Sequence, residues 1–162
     1  MHYSQKYCLV SFTKPIDFGT KFEISEWPLH ITLADVFAID QKGSNIVIQI
    51  TDLLENQSPI TVRVTDDAVL SQTRVVLVEN SKDLLALHNN LVDLFEANGA
   101  IFNSPEFIHE GFLPHCTIQN AERLNKGDKI RIDTVTLIDM FPDGNWRQRK
   151  ALSSLKLSGL AY

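Results

Sequence analysis

The sequence has no excess of basic residues. Among its 162 residues, Lys and Arg number 15 against 20 Asp and Glu, which gives a formal net charge of -5. A protein that binds a long nucleic-acid backbone usually has a basic surface, because neutralised phosphates supply most of the affinity. We therefore expect no DNA partner. The charge is better suited to a small phosphorylated ligand held by a few hydrogen-bond donors.

Cysteine is scarce, and no segment resembles a membrane anchor. Cys8 and Cys116 are the only cysteines, and each lies in an apolar run typical of a buried thiol in a reducing compartment. No Cys-x-x-Cys pair and no cluster of His, Asp and Glu has the spacing of metal ligands. The first residues lack a signal-peptide profile, and no apolar run reaches transmembrane length. We expect a cytoplasmic protein with no membrane partner and no metal.

One short phrase, by contrast, occurs twice. Residues 30–33 and 115–118 each read His, apolar, Thr, apolar, with a proline one or two positions before the His. In an extended strand, side chains two residues apart leave the same face. Each phrase therefore directs an imidazole and a hydroxyl to one side and an apolar pair to the other.

Two such strands side by side would combine two imidazoles with two hydroxyls. Histidine titrates near neutral pH, so His30 and His115 can transfer protons, while Thr32 and Thr117 can donate hydrogen bonds to an anion. This is the equipment for phosphoester chemistry without a metal. A single His-x-Thr carries little information, but two copies with apolar flanks among five histidines argue against coincidence. Of the other histidines, His88 and His109 have no Ser or Thr two residues on, and His2 is followed by Ser4 but then by the polar Gln5, so the phrase is incomplete there. We expect structural or solvated roles for all three: His2, His88 and His109.

The remaining pattern predicts an α+β protein, a single domain over residues 1–162 made of two lobes that meet at the two His strands. The lobes carry an imperfect duplication of strand, helix and His phrase. The predicted strands are 7–12, 29–37, 60–64 and 74–79, the last two paired, and the predicted closing hairpin joins 130–140 to 148–157. The predicted helices are 45–55 after a cap at Ser44, the clearest one from Ser81 to Gly99, and a short irregular one within 16–27, while 103–114 is a predicted loop.

On the residues 30–33 and 115–118, the sequence resembles the two-histidine phosphoesterase superfamily, whose members share two such motifs. The resemblance implies a bilobal α+β fold in which two antiparallel sheets line a central cleft, with the helices outside. It also implies hydrolysis of a cyclic phosphodiester, such as a 2′,3′-cyclic nucleotide or an RNA end, without metal or cofactor. By the same analogy His115 is the base toward water, His30 is the acid, and Thr32 and Thr117 bind the phosphate. The site would be complete in one chain, so we expect a monomer.

An aromatic side chain near the cleft would stack on the nucleobase. Phe37, Phe112 and Trp146 are the candidates, although core or loop roles are commoner for such residues. Positive charge could come from three further residues, each also typical of a solvated surface: Arg74, Arg123 and Lys126.

Three alternatives remain open. The chain could be a 2′-5′ RNA ligase or 2′-5′ phosphodiesterase, although many ligase-like members have a basic residue where this sequence has Asn120. It could be a non-catalytic module that binds a nucleotide without turnover. It could also be an α+β scaffold whose His phrases are coincidental strand ends.

Overall fold

The computed structural model of the chain describes residues 5–119 and 122–159; His2 and Asn120 lie outside these residues. Within them, two α-helices and ten strands occur in the order β1 (Lys6–Phe12), β2 (Lys21–Glu23), β3 (His30–Ala38), α1 (Gly43–Leu54), β4 (Ile60–Leu70), β5 (Thr73–Val78), α2 (Lys82–Ala97), β6 (Ile101–Phe102), β7 (His115–Thr117), β8 (Lys129–Ile132), β9 (Thr134–Asp139) and β10 (Gln148–Lys156). No helix among the described residues has the length and apolar character needed to cross a bilayer.

The strands form two antiparallel sheets, as the family resemblance implied. The larger sheet has the order β2-β10-β9-β1-β3-β6, and the smaller sheet has the order β7-β5-β4-β8. The two His phrases therefore begin strands of different sheets. The predicted strands 60–64 and 74–79 belong to the β4–β5 hairpin, whose tip, Ser71 and Gln72, has positive φ angles of 47° and 74°. Within the hairpin, β5 pairs with residues 64–70, whereas residues 60–63 pair with β8.

Helix α2 begins and ends as its sequence predicts. The Ser81 hydroxyl accepts a hydrogen bond from the backbone N–H of Leu84, which satisfies one of the free donors of the first turn. Gly99 follows the helix at φ 83°, the left-handed conformation that ends many helices. Its apolar face lies in the main core, with Leu84, Leu87, Leu91 and Phe95 all buried.

Three predicted elements differ in the structure. Helix α1 begins at Gly43 with Lys42 at the N-cap position, so Ser44 lies inside the helix and is not its cap. The stretch 16–27 contains strand β2 instead of a helix, because residues 21–23 pair with β10 and form the edge of the larger sheet. The run 130–140 is two strands, since Asp133 separates β8, which pairs with β4, from β9, which pairs with β1 and β10.

Apolar residues cover both faces of the larger sheet. On one face, Leu9 of β1 and Leu137 of β9 belong to the main core, which also takes in both helices and the smaller sheet. On the opposite face, Cys8 and Val10 of β1 form a second, smaller cluster with neighbours from β9 and β10. The alternation of side chains along β1 thus supplies both clusters, and the site described next lies on the second face.

Candidate active site

Strands β3 and β7 lie against each other and bring the two His phrases together. Ile31 and Leu33 of β3 are fully buried in the main core, as is Cys116 of β7. The His and Thr side chains of both strands lie on the opposite face and are partly exposed. The alternation predicted from the sequence is confirmed, because both segments are extended and the core covers one side of each.

Both imidazoles are held in the same way. The Nδ1 atom of His30 lies 2.8 Å from the backbone oxygen of Pro28, and the Nδ1 atom of His115 lies 2.8 Å from that of Leu113. A carbonyl oxygen only accepts hydrogen bonds, so Nδ1 must carry the proton in each ring. The Nε2 atom of each histidine is therefore the atom that can take up or release a proton.

The surroundings of His30 favour its neutral form. Burial lowers the pKa of His30, and a positive charge on His115 would lower it further, whereas the hydrogen bond to the Pro28 carbonyl acts in the opposite direction. The mutual effect of the two imidazoles means that a second proton is harder to add than the first. A pair that holds one proton can provide one acid and one base.

An aromatic cluster encloses His30 on one side. The ring of Trp27 lies 4.5 Å from the imidazole, centroid to centroid, and that of Phe12 lies 5.9 Å away. Phe22 packs edge-on against Trp27 at 4.9 Å. Sequence reasoning missed Trp27, whose only signal was its position three residues before His30 and next to Pro28.

A cavity of about 330 Å³ opens between the two sheets beside the motif residues. Thr32, Thr117 and His115 line it, while His30 lies one step along the same face of β3, toward Trp27. Among the described residues, neither threonine hydroxyl has a hydrogen-bond partner. Both hydroxyls are therefore available to an anion in this cavity. Its further walls include residues that the sequence did not single out for the site: Asp35, Ser71, His88 and Phe107.

The three aromatic candidates for base stacking have different positions. Phe112 lines the cavity, where its ring stacks on His88 with centroids 3.9 Å apart. Phe37 is wrong as a candidate: it is fully buried in the core and stacks on Phe95, because its position along β3 faces the helix side. Trp146 is 57% exposed in the turn before β10 and does not line the cavity. Phe107, 48% exposed at the cavity wall, was missed.

A second and larger groove, of about 770 Å³, borders the site through Phe12 and Leu29, the neighbours of His30. None of the four motif side chains lines it, so its size alone does not make it the reaction centre. Two carboxylates, of Glu122 and Asp133, line this groove together with four cationic side chains: Lys14, Arg123, Lys129 and Arg131. Arg131 lies 3.6 Å from Asp133. Arg123 is paired with Asp67 at 2.5 Å, which neutralises part of the charge.

A group that could hold a metal ion lies away from the cavity. Asp93, Glu96 and His109 present oxygen and nitrogen atoms within 4.8 Å of one another. These side chains are at least partly exposed, and His109 already lies within ion-pair distance of both carboxylates, at 3.5 and 3.1 Å. None of these three residues lines the cavity.

Comparison with known proteins gives one family match over most of the chain. A family model described as the 2′-5′ RNA ligase superfamily matches residues 17–146. Among curated proteins, peroxisomal acyl-coenzyme A oxidase 2 of Mus musculus is 33% identical over 66 residues, which are 40% of this chain. The chain spans only about a tenth of the length of that oxidase, and the family assignment does not depend on it.

Solved structures share the whole architecture at low sequence identity. A phosphoesterase crystal structure superposes with a TM-score of 0.60 and 16% identity, covering 95% of this chain and 98% of the other. E. coli LigT in complex with 3′-AMP gives a TM-score of 0.57 and 18% identity over 95% and 98%. The protein TT0787 of Thermus thermophilus gives 0.59 and 16% over 96% and 100%. These likenesses show the fold, two antiparallel sheets with the helices packed against them.

Proposed function

Because this chain belongs to the 2′-5′ RNA ligase superfamily, we propose that it is a phosphoesterase that hydrolyses a cyclic phosphodiester by acid-base catalysis with His30 and His115. The proposal rests mainly on one observation. The two imidazoles, on adjacent strands, both direct Nδ1–H to a backbone carbonyl, and this leaves two Nε2 atoms for proton transfer. A metal ion is not needed for this chemistry, since the imidazoles supply both the base and the acid.

In the proposed reaction, His115 Nε2 removes a proton from water as the water oxygen bonds to phosphorus. The bond from phosphorus to one ribose oxygen breaks, and His30 Nε2 gives its proton to that oxygen. The product is a 2′- or 3′-phosphomonoester, and the pair again holds one proton. Thr32 and Thr117 donate hydrogen bonds to the non-bridging oxygens, where charge develops in the transition state.

The roles of acid and base follow the family resemblance, and the pKa of His30 bears on them. A lowered pKa makes His30 a stronger acid but leaves less of it protonated in the free protein. The negative charge of a bound phosphodiester favours the protonated form again. A substrate with a nitrophenolate leaving group needs no acid, so we expect it to restore turnover to His30→Ala but not to His115→Ala.

A nucleotide is the proposed substrate class. LigT, which shares the fold, has been crystallised with 3′-AMP, ATP and NADP+. In this chain, the walls of the 330 Å³ cavity combine the two motif threonines with Phe107 and Phe112. We propose that the phosphate lies at the threonines and the base against the exposed face of Phe107. A monomer would suffice, because one chain supplies every proposed group.

A second candidate is cleavage or joining of a 2′-5′ RNA linkage. The specific observation in its favour is the 770 Å³ groove beside Phe12 and Leu29, where Lys14 and Lys129 could hold the phosphate of a further nucleotide of a strand. The alternative outside the enzymes is a module that binds a nucleotide and does not convert it.

The test incubates the protein in chelator with 2′,3′-cyclic nucleotides and, separately, with 2′-5′-linked dinucleotides. Chromatography then separates the 2′- and 3′-monophosphates. We expect turnover of the cyclic substrate, with a loss of several orders of magnitude in both His30→Ala and His115→Ala. The control is Thr61→Val, whose side chain is exposed on β4 and does not line the cavity.

The other outcomes separate the alternatives. Cleavage of the dinucleotide alone would favour the 2′-5′ activity. Nucleotide binding with no turnover would favour the binding module. Turnover that survives in both histidine variants would contradict the proposed mechanism.

A further inference from the structure

His88 is a buried polar residue that the mechanism above does not use. It lies on α2 and is 1% exposed. Its Nδ1 atom is 2.7 Å from the backbone oxygen of Leu33, the last residue of the first His phrase. The side chain thus connects helix α2 directly to strand β3, three residues beyond His30.

The other side of the same ring holds the segment that leads to the second His phrase. The backbone N–H of His109 donates a hydrogen bond to His88 Nε2 at 3.0 Å, and the ring of Phe112 stacks on the imidazole, parallel to within 4°. Since Leu33 contributes only an acceptor and His109 only a donor, His88 is neutral with its proton on Nδ1. Both nitrogens are occupied, so His88 has no atom left for proton transfer to a substrate.

The segment held in this way supplies the partner of His115. Leu113, whose carbonyl accepts the His115 Nδ1–H, lies between two restrained neighbours. The Phe112 carbonyl accepts a hydrogen bond from the Asn80 side chain at 3.3 Å, and the Pro114 carbonyl accepts one from the Val78 backbone at 3.0 Å. His88 adds a connection between this segment and β3.

We propose that His88 is a positioning residue, which holds the Leu113 carbonyl, and through it the His115 imidazole, in place relative to the strand that carries His30. The kinetic part of this inference rests on the proposed function, whereas the structural part does not. His30 provides an internal comparison, because its own acceptor, the Pro28 carbonyl, is not among the hydrogen-bond partners of His88 in the described part of the chain.

The first experiment records ¹⁵N signals of histidine side chains in the wild type and in His88→Phe, which keeps a flat ring but loses both hydrogen bonds. The shifts of Nδ1 and Nε2 report which nitrogen carries the proton. We expect the His115 signals to move toward a mixture of tautomers and those of His30 to stay unchanged. The control for lost stability alone is Val92→Ala, which leaves a void in the core one turn along α2. It should leave the ¹⁵N signals of both His30 and His115 unchanged.

The second experiment measures turnover of the cyclic substrate in the same proteins. Displacement of a catalytic group by about 1 Å can cost about 10²-fold in rate, so we expect kcat of His88→Phe to fall by about that factor while KM stays nearly constant. His88→Gln, whose amide offers both a donor and an acceptor, should recover part of the loss. Phe112→Leu, which removes the stacking on His88 but keeps both hydrogen bonds of His88, provides a second probe if His88→Phe does not fold. Because Phe112 also lines the cavity, this variant is used for the NMR measurement alone.

The outcomes distinguish this inference from the proposed function. A His115 signal that is the same in the wild type, His88→Phe and Phe112→Leu would overturn the positioning role. Equal movement of the His30 and His115 signals would also overturn it, because it would indicate that the packing of the whole protein is loosened. A selective change at His115 in a protein with no turnover would support the positioning role and count against the proposed reaction.

Discussion

The indole ring of Trp27 lies against the imidazole of His30, with ring centroids 4.5 Å apart and planes tilted by 34°. Burial is the largest cause of the lowered pKa of His30, and the indole ring contributes to that burial.

Replacing Trp27 by Leu exposes the imidazole to water, and we expect the pKa of His30 to rise toward its ordinary value. A histidine NMR titration measures it. Trp146→Leu, at an exposed turn away from the cavity, is the matched control. A further fall of the pKa in Trp27→Leu would show instead that the indole stabilises the charged ring.

In the proposed mechanism, the acid side of the pH profile depends on the same histidine pair. The proposed mechanism requires one proton on the two imidazoles, and it fails when the second is added. Burial of His30 and its repulsion by charged His115 lower the pKa of that step. We therefore expect a bell-shaped profile of kcat/KM, whose acid limb lies below the ordinary histidine value of about 6.5. An acid limb at or above that value would contradict the described environment of His30.

The threonines of the two phrases can be tested with isosteric variants. Thr32→Val and Thr117→Val remove a hydroxyl but keep the β-branched shape that a strand favours. Loss of one donor to a charged transition state costs about 10²–10³-fold in kcat, and we expect a loss of that order in each variant, with unchanged thermal stability. Thr61→Val, on the exposed face of β4, is the control. Full activity of both motif variants would remove the threonines from the site.

Cys116 lies between His115 and Thr117 in its phrase but faces the core. Burial raises the pKa of its thiol to about 11, with a backbone hydrogen bond from His30 acting the other way. Since the thiolate is the reactive form, we expect no alkylation by iodoacetamide at pH 8 in the folded protein and rapid alkylation in urea. Mass spectrometry of the peptide that contains Cys116 measures the extent of alkylation. Alkylation without denaturant would mean that β7 detaches from the core.

Local sequence patterns were sufficient to predict some elements of the structure. The alternation of Ile31, Leu33 and Cys116 with the His and Thr side chains depends only on the two-residue period of a strand. Helix α2 carries its own start signal in Ser81 and its own stop in Gly99. Boundaries were less well determined at α1, where Lys42, and not Ser44, takes the cap position.

The sequence by itself determined which side chains could do chemistry and which face of each strand they would leave, because both depend on residue type and local geometry. Only the tertiary structure decided that β3 and β7, members of different sheets, lie side by side. It also placed Phe37 in the core, Phe112 at the cavity, and Trp27 over His30. The β3–β7 contact and those of Phe37 and Phe112 join residues distant in sequence, and their energies depend on the packing of the whole chain, which no local pattern encodes.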